Sequence, residues 1–349
     1  MESMKSLKNN KPIRLSLLFI IVILGIATIY FLVFREKSQQ YVYTWGQVST
    51  EASWDAKSDA CSIAFKGKLW LFGGNRTDPD PPDNRLDIVG FLNQRIYDIW
   101  FTDDGVEWAQ SSRELPEGFG CQILKYDDKL WSFGNGVWTS EDGENWRNIT
   151  DSLPIDSYSV TVFQDKFWLL GGVDADIFKN EIWSSDDGSA WERVAEQAPW
   201  PARIAHAYST TEFDGKLWVI GGMIDDPEDA GRIISTNDAW YTTDGKNWTE
   251  VESNESWPGA SSHRVFTYDR YMWIFGGRRN DPGGRMVNEL WRSLDGINWE
   301  LMEVKNDDWY PRYDYAFAVY DDHIWVIGGH EHRSEEPKLG DAWQAELPI

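Results

Sequence analysis

Twenty-two tryptophans occur in this chain, and every one falls on one of four repeating registers. Six follow a short hydrophobic lead and stand just before a glycine pair or its equivalent: Trp70, Trp131, Trp168, Trp218, Trp273 and Trp325. Six more sit further on, before a Ser/Thr and an Asp-Gly in most copies: Trp100, Trp138, Trp183, Trp240, Trp291 and Trp343. Six close a hairpin: Trp45, Trp108, Trp146, Trp191, Trp248 and Trp299. The last four, Trp54, Trp200, Trp257 and Trp309, precede the next copy. Regularity of this kind means that the chain stacks copies of one small unit, each unable to bury its apolar face alone.

Residues 207–251 illustrate the unit. A first strand ends at Phe213, Asp214-Gly215 turns, and Lys216 to Ile220 form a second strand that ends at Gly221-Gly222. After a loop, Ala239 to Thr243 form a third strand, Asp244-Gly245 turns again, and Asn247 to Val251 form a fourth. Asp-Gly between alternating strands is a strong hairpin signal, because a type I′ turn needs positive φ at both central residues. The second turn recurs at Asp104-Gly105, Asp142-Gly143, Asp187-Gly188 and Asp295-Gly296. Blade two has Gly134-Asn135-Gly136 in place of a glycine pair and almost no following loop, which leaves a gap in the rim.

Four-stranded antiparallel units repeated radially make an all-β propeller. The sixth copy stops at Asp341-Ala342-Trp343-Gln344-Ala345 without a fourth strand. Tyr43-Thr44-Trp45-Gly46-Gln47-Val48 matches the fourth strand Lys246 to Val251. The N-terminal strand is therefore expected to complete the sixth blade and remove the open edge. Six copies across residues 41–349 give roughly 50 residues each.

The first 40 residues differ from the rest. Leu15 to Phe34 carries no charge over 20 residues, enough for a helix to span a hydrocarbon core of about 30 Å. Lys5, Lys8, Lys11 and Arg14 precede it. The basic flank predicts a signal anchor with residues 1–14 in the cytoplasm, a linker at 35–40 and the propeller outside, periplasmic or extracellular. A cleaved signal peptide is the alternative, but the run is long for one and no clear small-x-small site follows it.

Residues 1–40 hold six Lys/Arg and two Asp/Glu, so the formal net charge of −24 becomes −28 without them. Such a surface repels nucleic acid and excludes it as a partner. The two cysteines, Cys61 and Cys121, lie on first strands of neighbouring copies. Aligning Lys68-Leu69-Trp70 with Lys129-Leu130-Trp131 puts them one residue out of register, facing opposite sides of a strand. A disulfide and two free thiols both stay open.

The hydrophobic-Trp-x-hydrophobic-Gly-Gly element, with a spaced aromatic in strand three and a Trp in strand four, resembles the kelch repeat across residues 41–349. The Trp-x-Ser/Thr-x-Asp-Gly-x-x-Trp hairpins are similar to those of bacterial kelch-type extracytoplasmic proteins. The resemblance implies a six-bladed propeller and little about activity, since propellers host many functions.

In kelch-like propellers the strand-two-to-three loops share a face with the loops between blades. Here those loops carry Arg203, His206, His263, Arg312, Tyr315 and Arg278, with Trp200, Trp257 and Trp309 beside them. One reading is a cup of aromatic and cationic groups that takes a glycan or protein ligand: indoles stack on sugar rings and arginine forks bind carboxylates. The other is structural, with the tryptophans as wedges between blades and the arginines paired to nearby acids. The acidic, proline-rich run Thr77 to Asp83 in blade one reads as a solvated lid.

No complete catalytic set is present and no cofactor is expected. Ser184, Asp186, Gly188 and Trp191 fit the sialidase Asp-box, but Thr243 and Leu294 break it elsewhere. A copper-radical oxidase would need a Cys-linked Tyr, and both cysteines read as strand positions. His330-x-His332 supplies only two metal ligands. The better enzymatic alternative is a sugar isomerase of the sialic-acid mutarotase type, with Arg203 and Arg312 on the carboxylate and His206 moving a proton.

Overall fold

The computed structural model describes residues 42–347 apart from 50–53, 77–93, 157, 175–176, 205–208, 230, 252–256, 280–283, 306–308 and 332–338. The apolar run at 15–34, the acidic run after Asn75, His206 and His332 lie outside the described residues.

Six antiparallel blades are present. Blade one comprises Cys61–Phe65, Lys68–Arg76, Gln94–Thr102 and Ala109–Gln110. Blade two comprises Gln122–Tyr126, Lys129–Phe133, Val137–Ser140 and Arg147–Thr150. Blade three comprises Ser159–Phe163, Lys166–Asp174, Ile177–Ser185 and Glu192–Ala195. Blade four comprises Thr210–Phe213, Lys216–Asp225, Ile233–Thr242 and Trp248–Glu250. Blade five comprises Arg264–Tyr268, Tyr271–Arg278, Met286–Ser293 and Glu300–Leu301. Blade six takes Ala316–Tyr320, His323–Ile327 and Ala342–Glu346 from the C-terminal end and Val42–Ser49 from the N-terminal end.

The closing strand lies antiparallel to Ala342–Glu346, with Trp45 opposite Ala345 and Gln47 opposite Trp343. On its outer side Val42, Tyr43 and Thr44 pair in parallel with Glu303, Val304 and Lys305 of blade five. Both edges of the strand are therefore occupied, which leaves blade six without the open edge that invites association. Trp45 is buried against Phe275 of blade five and Trp309, at 5.5 Å and 4.6 Å between rings. Tyr43 donates its hydroxyl to the Asn288 carbonyl of blade five.

The glycine pairs do not end the second strands as expected. In blades one, three, four and five the strand continues past the pair, and the register shifts there, as between Ile220 and Gly222. Positive φ at both glycines, 61° and 113° at Gly221 and Gly222, makes this a bulge. The bulge re-aims the strand, so its far end pairs with the segment that enters the same blade. Arg203-Ile204 and Lys57-Ser58 add short ladders to these far ends.

The two turns of each blade also differ from one another. The first is type I′-like: Asp214 and Gly215 both have positive φ, as do Lys66 and Gly67. The second is not, because Gly105, Gly143, Gly188, Gly245 and Gly296 are left-handed while the preceding Asp is not. This turn is built by side chains. Thr242 Oγ1 accepts the Gly245 N–H at 3.0 Å, and Asp244 Oδ1 accepts the Lys246 and Asn247 N–H groups at 2.9 and 2.7 Å. The Asp thus satisfies donors that a two-residue turn would have paired in the ladder. The glycine packs on the strand-two tryptophan of the preceding blade; a Cβ at Gly143 would stand 2.8 Å from the Trp70 ring.

Apolar clusters run between blades rather than within them. Trp54 joins Leu69 and Leu71 of blade one to Ala316, Ala318 and Ile327 of blade six. Trp200 and Trp257 do the same between blades three and four and blades four and five. Truncating Trp45 to Ala removes the anchor of the closing strand, and a large-to-small change of this kind costs about 3–5 kcal/mol. Urea unfolding of Trp45→Ala should show that loss with a broadened transition; an unchanged midpoint would mean that the strand does not close the ring.

Candidate functional site

Each strand-three tryptophan except Trp138 lies two residues after an acid: Asp98, Glu181, Asp238, Glu289 and Asp341. In a strand, residues two apart point to the same face, so the acid can reach the indole. It does so in all five, with Trp240 Nε1 to Asp238 Oδ2 at 2.8 Å and Trp343 Nε1 to Asp341 Oδ2 at 2.7 Å. In blade two Gly136 replaces the acid, and Trp138 Nε1 has no hydrogen-bond partner among the described residues.

Four of these acids also hold a buried cation from the segment entering the blade or the bulged strand. Lys57 bonds both oxygens of Asp98 at 2.9 Å. Arg203 grips Asp238 through two N–H groups, at 2.9 and 2.5 Å, and also donates to the Gly221 and Pro201 carbonyls. Arg312 pairs with Asp341 at 2.6 and 3.2 Å and donates to Gly328 O. Arg279 pairs with Glu289 and donates to Gly259 O. Burial raises the Asp238 carboxyl, but the Arg203 hydrogen bonds and charge outweigh it and hold the group below the usual carboxylate range. Burial lowers the Lys57 ammonium, partly offset by Asp98.

Arg203 and Arg312 are thus 1% and 3% exposed and are committed to blade four and blade six separately. The structure does not bring them together. Trp200, Trp257 and Trp309 are buried wedges, edge-on to strand-four tryptophans in the case of Trp200 against Trp248 (4.2 Å, 81°). His263 is buried beneath Trp257, with Nε2 on the Ile220 carbonyl at 3.0 Å. Burial pushes its imidazole down to about 4, with Arg264 and Arg279 adding to the effect.

Tyr315 and Arg278 are the two expected residues that reach a common space. They line a cavity of about 840 Å³ where the first strands begin, on the face shared by the inter-blade loops and the strand-two-to-three loops. That volume lies in the range of ligand sites, about 300–1,000 Å³. The other walls come from residues outside the four tryptophan registers. Asp59 and Cys121 enter from blades one and two, Gln122 and Asn135 from blade two, and Asp156 and Tyr158 from blade three. Arg264 and Ser262 enter from blade five, and Tyr313 and Asp314 from blade six. The cationic side is blade five, and the carboxylates stand in blades one, three and six.

Local backbone shape sets this wall. Asp59, Ser262 and Asp314 occupy equivalent positions two residues before strand one, and all three are left-handed, with φ of 53°, 54° and 54°. Asp59 N–H bonds Asp314 O at 2.8 Å, which ties blade one to blade six at the mouth. Tyr313 stacks on His330 at 5.0 Å and 17°, and Arg264 lies over the Tyr315 ring at 5.1 Å. Blade two supplies only Gly134 to Gly136 between strands two and three, where Gly120 and Gly134 touch backbone to backbone. Among the described residues no group of three His, Cys, Asp or Glu is placed to hold a metal ion. No described helix is long and apolar enough to cross a membrane.

The acid-x-Trp spacing and the Leu115-Pro116 match to Trp200-Pro201 and Trp257-Pro258 were readable in the sequence. Leu115 lies against Gly73 as Trp257 lies against Gly221. Cavity residues such as Asn135 and Asp156 had no such signal, because they fall outside every register, whereas Tyr158 shares with Tyr315 the position just before strand one.

Residues 39–347 match the family model for the DUF6242 beta propeller domain. The chain belongs to that family of β-propellers. No curated protein matches it.

Two outcomes follow. Asp238→Ala leaves Arg203 buried without its carboxylate and should cost about 3–5 kcal/mol, while pairing it with Arg203→Met recovers most of the loss. Equal loss in the double variant would sink the pairing account. The neutral His263 imidazole is native, and its folded value of about 4 lies below the unfolded 6.5. The unfolded chain therefore binds the extra proton first, and stability falls as pH drops from about 6.5 towards 4. Chemical denaturation across that window should lose part of its slope in His263→Gln; an unaltered slope would assign it to other groups.

Proposed function

We propose that this propeller is a membrane-anchored, extracytoplasmic binding module that takes a glycan in the cavity at one mouth of the ring. The cavity carries the reading: it joins tyrosine rings, carboxylates and arginines in one concave space. Sugars use such a mixture, with rings packing on aromatic faces, hydroxyls donating to carboxylates, and any anionic substituent meeting a guanidinium. The kelch-like blade pattern is consistent with this use of the inter-blade face. The apolar run at 15–34 supports the anchor, and its basic flank supports the orientation. Val42 begins the closing strand at the end opposite the cavity mouth.

Isomerisation of an acidic sugar is the second reading. It asks for an arginine and a proton-transfer group in one space, which Arg278 and Asp156 supply better than the internally paired Arg203 and Arg312.

Glycan-array screening followed by calorimetric titration tests the binding. Arg278→Ala should weaken an anionic glycan about tenfold, about 1.4 kcal/mol, without lowering the melting temperature. Binding of polypeptides alone, or glycan binding that ignores both Arg278→Ala and Tyr313→Ala, would defeat the proposal. Accelerated anomer exchange of an acidic sugar, followed by NMR, would favour the enzyme.

A further inference from the structure

We infer that Cys61 and Cys121 form a reversible disulfide that staples blade one to blade two in the cavity wall, with Cys121 as the thiol that meets the oxidant. These are the two cysteines of the chain, and both are thiols in the structure. The inference does not rest on the glycan reading.

Geometry brings the two together. Cys121 precedes strand one of blade two and lines the cavity. Its Sγ donates to the Asp59 carbonyl at 3.0 Å, across the blade boundary and two residues before Cys61. It packs on the apolar cluster that contains Cys61, Phe72 and Phe119. The register offset is real: Cys61 faces Phe72 on its partner strand, whereas Gln122, not Cys121, faces Phe133. That offset separates residues only within one ladder. Cys61 opens the first strand of blade one and Cys121 stands just before the first strand of blade two, and these strands lie side by side, so the offset does not hold their sulfurs apart.

Their surroundings divide the labour. Cys61 is 1% exposed and its Sγ contacts the Phe72 carbonyl at 3.7 Å, so no external disulfide reaches it first. Burial pushes its thiol up, with the Cys121 neighbour adding to the effect. Cys121 is half-buried beside the low wall of Gly120 and Gly134. In the exchange, the Cys121 thiolate attacks a small disulfide RSSR, forming a mixed disulfide and releasing RS⁻. Cys61 then gives up its proton, attacks the Cys121 sulfur and displaces the second RS⁻. Both cysteines are oxidised, RSSR is reduced to two RSH, and no other reactant is needed.

The test treats the full-length chain in detergent with glutathione disulfide, then alkylates under denaturing conditions and weighs the intact protein. The expected product is two hydrogens lighter, takes up no alkylating agent, gives one peptide pair joining Cys61 to Cys121, and reverts with dithiothreitol. Cys61→Ala should stop at one glutathione on Cys121, and Cys121→Ala should take up none while folded. Wild-type protein that stops at a Cys121 glutathione adduct, or that forms covalent dimers through Cys121, overturns the inference. Should Cys61→Ala lose its native circular dichroism, the wild-type peptide map alone still decides between the staple and the adduct.

Discussion

A buried indole brings large apolar area and one N–H that must find an acceptor, and this protein answers that demand differently in each register. All six strand-two indoles donate to the carbonyl five residues earlier, at 2.9–3.2 Å. The acceptor lies in strand one of the same blade, just before its turn, so the bond clamps that hairpin while the ring projects to the neighbour. Five of the six strand-three indoles use an acid two residues back, Trp138 being the exception. The wedges Trp54, Trp200 and Trp309 have no acceptor among the described residues. Two of them sit edge-on to strand-four rings, as Trp54 does on Trp108 at 4.5 Å and 76°, a geometry that offers a π face in place of an oxygen.

The same acids explain where the cationic groups went. An Asp in strand three that already accepts an indole has lone pairs left over in a dry interface. Lys57, Arg203, Arg279 and Arg312 fill them, and each arginine also caps a carbonyl near a glycine bulge or in the segment entering the blade. Such pairs add little net stability over apolar contacts, but removing one partner is costly. Their role is geometric, since they fix the entry segment against the bulged strand and so set the position of the residues just before strand one. Those residues form the cavity.

The sequence made the fold legible because its strongest signals are local and repeated. The six copies, the closing strand at Trp45 and the short connection of blade two all follow from spacing. The turns were legible only as positions. Asp244-Gly245 reads as type I′ from the dipeptide alone, and only the Thr242 hydroxyl and the following N–H groups reveal a different turn. The arginines were misdirecting for a physical reason: a cation in an inter-blade loop looks the same in sequence whether it faces solvent or a carboxylate one bulge away. Arg203 and Asp238 are 35 residues apart, and nothing at either position announces the pair.

What distinguishes the cavity is that it begins where the repeat ends. Every register places its residue for the benefit of the neighbouring blade, and the left-handed step at Asp59, Ser262 and Asp314 is the point at which the chain turns from packing to lining. The left-handed Asp59 and Asp314 and the residues that follow them, Ala60 and Tyr315, all line the cavity. Blade two departs from this plan by using Gly120 at the equivalent position and by omitting the acid before Trp138. Two glycine backbones in contact take the place of a side-chain wall there. The departure puts a thiol, rather than a carboxylate or a tyrosine, at one point of an otherwise polar ring. A family of propellers can therefore vary its mouth chemistry blade by blade without disturbing the tryptophans that hold the ring together.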